Sequence, residues 1–276
     1  MALKLFYITN RPDVALIAEK YGVDRIWIDL ETLGKSERQH GLNSVKSRHR
    51  ISDIKEIKPV LSKAELLVRV NPWNERSEEE IDDVIESGAD IVMLPMWKTP
   101  EEVDCFLSAV GGRAKTTLLL ETKEAAECVS QVLERDFDEI HIGLNDLHLS
   151  YGMKFMFELL ADGTVERLCG KFRAAGIPYG FGGIARLGKG MLPAKKIIME
   201  HYRLGSTRAI LSRSFCDVDN CSDIGEVEET FRSNLPPLRV FEKKCELATE
   251  ADFLNNKADV VESVRRIVGE IIRNER

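Results

Sequence analysis

Short apolar runs alternate with amphipathic stretches along the whole chain. The runs occupy residues 3–8, 25–31, 66–70, 91–94, 117–121, 139–143, 178–182 and 208–212. Between them, residues 12–21, 77–87, 100–110, 122–134, 166–175 and 194–204 gather their apolar side chains on one side, the mark of a helix lying on a core. Glycine recurs just ahead of a strand, at Gly22, Gly88 and Gly176, where a helix ends and the chain turns. Strict alternation of strand and helix predicts a parallel sheet with helices outside it. Eight such units in about 250 residues predict an α/β fold of the (β/α)8 TIM-barrel type. A doubly wound open sheet fits less well. It usually has fewer strands, and the glycine-rich dinucleotide turn is missing after the first run.

Parity within each run says which side chains face inward. In the second run Ile28 and Leu30 belong outside, against helices, so Asp29 and Glu31 point into the barrel. The same rule sends Arg69, Glu121 and His141 inward. Charged groups there are costly unless they are paired or bound to a ligand.

Two segments break the pattern. Residues 32–50 form a long connection rich in Lys, Arg, His and Ser, of the length used for lids and binding loops. The end of the chain reads as an irregular stretch through Pro236 and Pro237, then a helix over residues 248–274 with Val260, Val261, Val264, Ile267, Val268, Ile271 and Ile272 on one face. These signals predict a barrel domain over residues 1–235 and a C-terminal helical arm over 236–276. The arm packs either on its own barrel or on a neighbouring subunit.

Composition narrows the function. With 43% hydrophobic and 31% charged residues the chain is of the ordinary globular kind, and its net charge of −7 argues against a general nucleic-acid binder. No run approaches the ~18 apolar residues of a membrane span, and the first ten residues lack an export signal, so a cytoplasmic protein without membrane attachment is expected. The six cysteines contain no CxxC pair, and reduced, mostly buried thiols are expected.

The chemistry concentrates at the carboxyl ends of the runs, where barrel active sites form. Glu121 closes the fifth run and Asp146 follows the sixth. Neighbouring parallel strands lie about 5 Å apart, so the two carboxylates are placed either to grip one hard cation, Mg2+ above all, or to form a charged pair at the rim. Arg69 offers a fixed positive fork for a carboxylate or an oxyanion, or else neutralises Glu31 or Asp29. A cation beside an arginine suits the stabilisation of negative charge on a carbonyl oxygen, as when a 2-oxo acid becomes an enolate. Gly182 and Gly183, with Lys189, read either as an anion cradle or as a tight turn.

In order and spacing, Ile28-Asp29-Leu30-Glu31, Val68-Arg69-Val70-Asn71-Pro72, Leu94-Pro95-Met96, Leu120-Glu121-Thr122 and Gly143-Leu144-Asn145-Asp146 resemble the HpcH/HpaI aldolase and citrate lyase β-subunit superfamily, over residues 1–215. The resemblance implies a metal-dependent carbon–carbon lyase, an aldolase that works on a 2-oxo acid through a pyruvate-enolate-type intermediate. Its alternatives are an acyl-CoA lyase of the citryl, malyl or citramalyl type, and a non-catalytic barrel used for binding or assembly. It implies Mg2+ or Mn2+ on Glu121 and Asp146, and Arg69 on the substrate. Pro95, Met96, Gly143 and Asn145 would lie beside the substrate carboxylate, Asp29 and Glu31 would support the site, and the protein would be a homo-oligomer. The chain departs from the pattern at Thr32, where the aldolase branch carries a histidine that assists proton transfer. His40 or His49 in the following loop, or a metal-bound water, then takes that role. Trp97 is bulky where an open pocket is wanted, and reads as a packing or lid residue.

Overall fold

The computed structural model describes residues 2–34, 49–218, 220–221 and 223–274. The predicted runs become strands: β1 (Lys4–Ile8), β2 (Arg25–Asp29), β3 (Glu65–Arg69), β4 (Ile91–Leu94), β5 (Lys115–Leu120), β6 (Glu139–Ile142), β7 (Tyr179–Ile184) and β8 (Arg208–Leu211). Each is parallel to the next, and β8 pairs back onto β1, so the sheet closes as an eight-stranded barrel. The helices described are α1 (Pro12–Lys20), α2 (Ile51–Ile57), α3 (Ser77–Glu86), α4 (Pro100–Val110), α5 (Lys123–Val132), α6 (Leu144–Ser150), α7 (Glu158–Ala161), α8 (Thr164–Ala174), α9 (Ala194–Leu204), α10 (Ile224–Glu246) and α11 (Glu250–Asn274). Among the described residues no helix is long and apolar enough to cross a membrane.

The parity rule describes the barrel wall. Phe6, Trp27, Leu67, Ile91, Met93 and Leu119 pack together inside. Their neighbours Leu5, Ile28, Val68, Val92 and Leu118 join the larger core between strands and helices. The glycine signals act where they were read. Gly22, Gly88 and Gly176 take φ of 98°, 108° and 71°, values that a side chain would strain. Thr99 and Glu102 close a capping box around the Pro100 start of α4.

Two boundaries move in ways that matter for the site. β2 ends at Asp29 and β5 at Leu120, so Glu31 and Glu121 stand just beyond their strands. Asn145 and Asp146 fall in the first turn of a short helix, α6, that follows β6 directly.

The expected irregular stretch through Pro236 and Pro237 is wrong, because both prolines lie inside the 23-residue helix α10. Proline inside a helix costs about 3 kcal/mol. Here that cost is offset by burial of Val227, Phe231, Leu235 and Leu238 at helical spacing. The helix also seals the amino-terminal edge of β1, since the Leu3 amide donates to Glu242 at 2.7 Å and Arg239 donates to the Leu3 carbonyl at 2.8 Å. The boundary expected at residue 235 falls within this helix. In α11, Val260, Val264 and Ile267 are buried. Lys196 on α9 donates to Ser263 at 3.0 Å, and Lys257 reaches Glu166 on α8 at 2.7 Å.

Candidate active site at the carboxyl rim of the barrel

β5 and β6 are neighbours, with Leu120 opposite Ile142, and the ladder runs one step further as the Gly143 amide donates to the Leu120 carbonyl at 2.9 Å. That step sets Glu121 beside Gly143. The Glu121 side chain is only 2% exposed. Its Oε1 accepts the Met96 amide N–H at 3.1 Å. Its Oε2 lies over Gly143, so close that a Cβ added there would meet it at 2.8 Å. Glycine at 143 is therefore required by the approach of this carboxylate. Asp146 sits three residues on, in the first turn of α6, with its Oδ1 buried.

Arg69 ends β3 and turns inward beside β2. Its Nε and Nη2 donate to the two oxygens of Asp29 at 2.8 and 2.9 Å, and Nη2 also lies 3.1 Å from Glu31. The guanidinium rests over the Trp27 ring, 5.3 Å from its centroid. Burial alone would lower the pKa of Arg69, yet Asp29, Glu31 and Glu121 around it hold it well above the ordinary arginine value. The cluster thus holds three carboxylates against one guanidinium. Arg69 does neutralise Asp29 and Glu31, and it faces Glu121 as well. Two acids pin it in one orientation, which makes it a rigid fork.

The other expected site residues divide. Pro95 is buried and Met96 half-buried, both at the end of β4. Gly143 is half-buried and Asn145 exposed. His49 comes to the rim, where its Nδ1 accepts the Asp29 backbone N–H at 3.0 Å. His40 lies outside the described residues, as do the loop cations Lys35, Arg38, Lys46 and Arg48. Thr32 is tied outward, its amide and hydroxyl both directed to Asn71 Oδ1 at 2.9 and 3.3 Å. Trp97 is 1% exposed within the main core, which makes it a packing residue and not a lid. His141 points into the barrel as expected. Burial, with the charge of Arg208 next, pushes its pKa down to about 4, so it is neutral.

Three features went unread in the sequence. Met96 has φ of 53°, the one positive value at a non-glycine residue among those described. Thr122 donates its hydroxyl to the Trp97 carbonyl at 2.8 Å and caps α5 through the Ala125 amide at 3.1 Å, so the β4 and β5 exits are stapled together. At the opposite end of the barrel, Glu139 on β6 pairs with Arg25 and Arg208, and Glu65 pairs with Arg25 and Lys115. Arg25, Glu65, Glu139 and Arg208 hold inward positions at the starts of their strands, so parity applied to the first residue of each run would have found this floor.

Size does not locate the site. A cleft of about 820 Å3 opens at the amino-terminal face between residues such as Lys58, Glu65, Asp90, Lys115 and Asp138. Its charges pair with one another, as Lys58 does with Asp90 and Lys115 with Glu65. The carboxyl rim carries the convergent chemistry instead.

The rim suits a divalent cation. The donor set is hard oxygen, and the cluster has more carboxylates than cations. Among the described residues no group of three or more His, Cys, Asp or Glu side chains stands ready to enclose a metal.

Barrel and rim together define a (β/α)8 protein with a cluster of charged side chains at the carboxyl ends of β2, β3 and β5. A model of the HpcH/HpaI aldolase/citrate lyase family matches residues 3–177, and the chain belongs to that family. The family is one of lyase- and aldolase-type enzymes, and the match ends ahead of β7. Among solved structures, a crystal structure of a variant of the citrate synthase SbnG superposes with a TM-score of 0.57 at 14% identity, covering 88% of this chain and 95% of that one. That likeness is one of fold. A search of curated proteins finds no match.

Proposed function

We propose that this protein is a divalent-metal-dependent carbon–carbon lyase that acts on a 2-oxo acid. The observation that carries the reading is Glu121: a buried carboxylate aimed by the Met96 amide, seated over Gly143 and beside Arg69, in a chain of an aldolase and lyase family. Glu121 and Asp146 would hold Mg2+ or Mn2+, which when bound supplies Lewis acidity at the substrate carbonyl. Arg69, fixed by Asp29 and Glu31, presents its charge to the substrate carboxylate or to the oxygen on which negative charge develops. Charge placed there in advance needs no reorganisation during reaction.

The proton carrier is constrained by geometry. Thr32 is committed to Asn71. The His49 Nδ1 lone pair is taken by the Asp29 amide, so the neutral ring carries its proton on Nε2. In that state His49 is a hydrogen-bond donor. It becomes a base only if the Asp29 contact opens. His40 remains the other candidate from the loop.

The test is exchange of the methyl protons of pyruvate in D2O, followed by NMR. Exchange should require added Mg2+ or Mn2+, and Glu121→Gln should slow it by about 100-fold or more. Exchange without metal, or unslowed in the variant, would overturn the proposal. Cleavage of an acyl-CoA ester with no action on 2-oxo acids would assign the site to citrate lyase-type chemistry instead.

A further inference from the structure

The helix α11 carries a second apolar row besides the one it buries. Leu254 is 56% exposed and Ile272 39%. Between them Ala258 is exposed, and Val261 and Val268 are half-buried. With Arg265, whose long stem can cover apolar neighbours, these positions step by 4, 3, 4, 3 and 4 residues. That is the spacing of a seam between two helices. The row lies about a third of a turn around α11 from the buried Val260, Val264 and Ile267. The charges of the helix divide in the same way. Lys257 reaches Glu166 at 2.7 Å and Asp259 lies 3.6 Å from Lys196, so both are tied to the chain's own barrel. Among the described residues, the side chains of Glu262, Arg265, Arg266 and Arg273 have no hydrogen bond or ion pair.

We propose that this row is the seam of a two-fold dimer, in which α11 docks antiparallel on α11 of a second copy of this chain. Charge selects both the occupant and its direction. The first half of the helix, residues 250–262, has Glu250, Asp252, Asp259 and Glu262 against Lys257. The second half, residues 263–274, has Arg265, Arg266 and Arg273 against Glu270. Antiparallel copies set the acidic half on the basic half, whereas parallel copies would set like charge on like. The spacing agrees, since it reads the same in both directions. A two-fold axis beside residue 263 places Leu254 against the partner's Ile272, Ala258 against the partner's Val268 and Val261 against the partner's Arg265. It also brings Glu262 beside the partner's Arg266, and every contact occurs twice. The inference goes beyond the lyase reading and does not depend on it.

The experiment is analytical ultracentrifugation of the full chain over the micromolar range, which measures no activity. The parent should self-associate, and a parent that stays monomeric overturns the inference. Glu262→Arg and Arg266→Glu should each weaken association about tenfold, because each reversal acts at both copies of the contact. Both side chains are exposed, so each variant should keep the circular dichroism of the parent. An equimolar mixture of the two variants restores opposite charges across the axis at both contacts, and it should recover the parent's association. A pair formed within one helix could not produce that recovery. A mixture as weak as its components overturns the inference. Val261→Glu, which places a charge in the row itself, should weaken association at least as much as either reversal. If that variant associates like the parent, the copies meet through another surface and the inference is overturned.

Discussion

Glu121 stands just past β5 and His141 on the adjacent β6, and both are buried. Glu121 accepts the Met96 amide on one oxygen, and its charge helps to raise the pKa of Arg69. His141 is fully buried beside Arg208, and its pKa falls to about 4 from 6.5. The unfolded chain therefore binds more protons than the folded one between those values, and stability must fall as pH drops through that window. The linkage predicts a loss of about 2 kcal/mol from pH 7 to pH 5 due to this residue. Urea titrations at both pH values should show it in the parent, and a His141→Asn variant should lose less over the same interval. Equal losses would mean that His141 is not the group responsible. Parity alone placed Arg69, Glu121 and His141 inside the barrel. It could not say that Arg69 would be held by Asp29 and Glu31 together, because that pairing joins the ends of two strands.

Among the elements, the exits of β4 and β5 act as one unit. Thr122 caps α5 and ties itself to the Trp97 carbonyl. Loss of a cap costs about 1 kcal/mol, and here a buried carbonyl would lose its partner too. Thr122→Ala should lower the midpoint of chemical denaturation by an amount equivalent to about 1–3 kcal/mol, while Thr122→Ser, which keeps the hydroxyl, should recover most of it. The strands and most helices were legible because their signals are local: a run of apolar residues, an amphipathic stretch, a glycine at an end. The helix α10 was not. Its two prolines are a strong local stop, and only the buried stripe from Val227 to Leu238, packed against the finished barrel, outweighs them.

At the scale of the molecule, α11 is the largest element outside the eight repeating units. Val260, Val264 and Ile267 bury their side chains, and each such side chain contributes about 1.5–3 kcal/mol. A chain ended after Leu247 should melt more than about 10 °C lower by calorimetry, since 1 kcal/mol is worth about 2–4 °C at this size. An unchanged melting temperature would mean that the arm adds nothing to its own barrel. The sequence by itself determined the alternation of strand and helix, the inward parity of each strand and the carboxylates at the rim, because these depend on residues a few positions apart. The tertiary structure decided how Arg69 is shared between Asp29 and Glu31, that the Met96 amide holds Glu121, that Thr32 turns to Asn71, and that a doubly proline-bearing segment stays helical. Each of those contacts joins residues distant in the chain, and closure of the barrel brings them together.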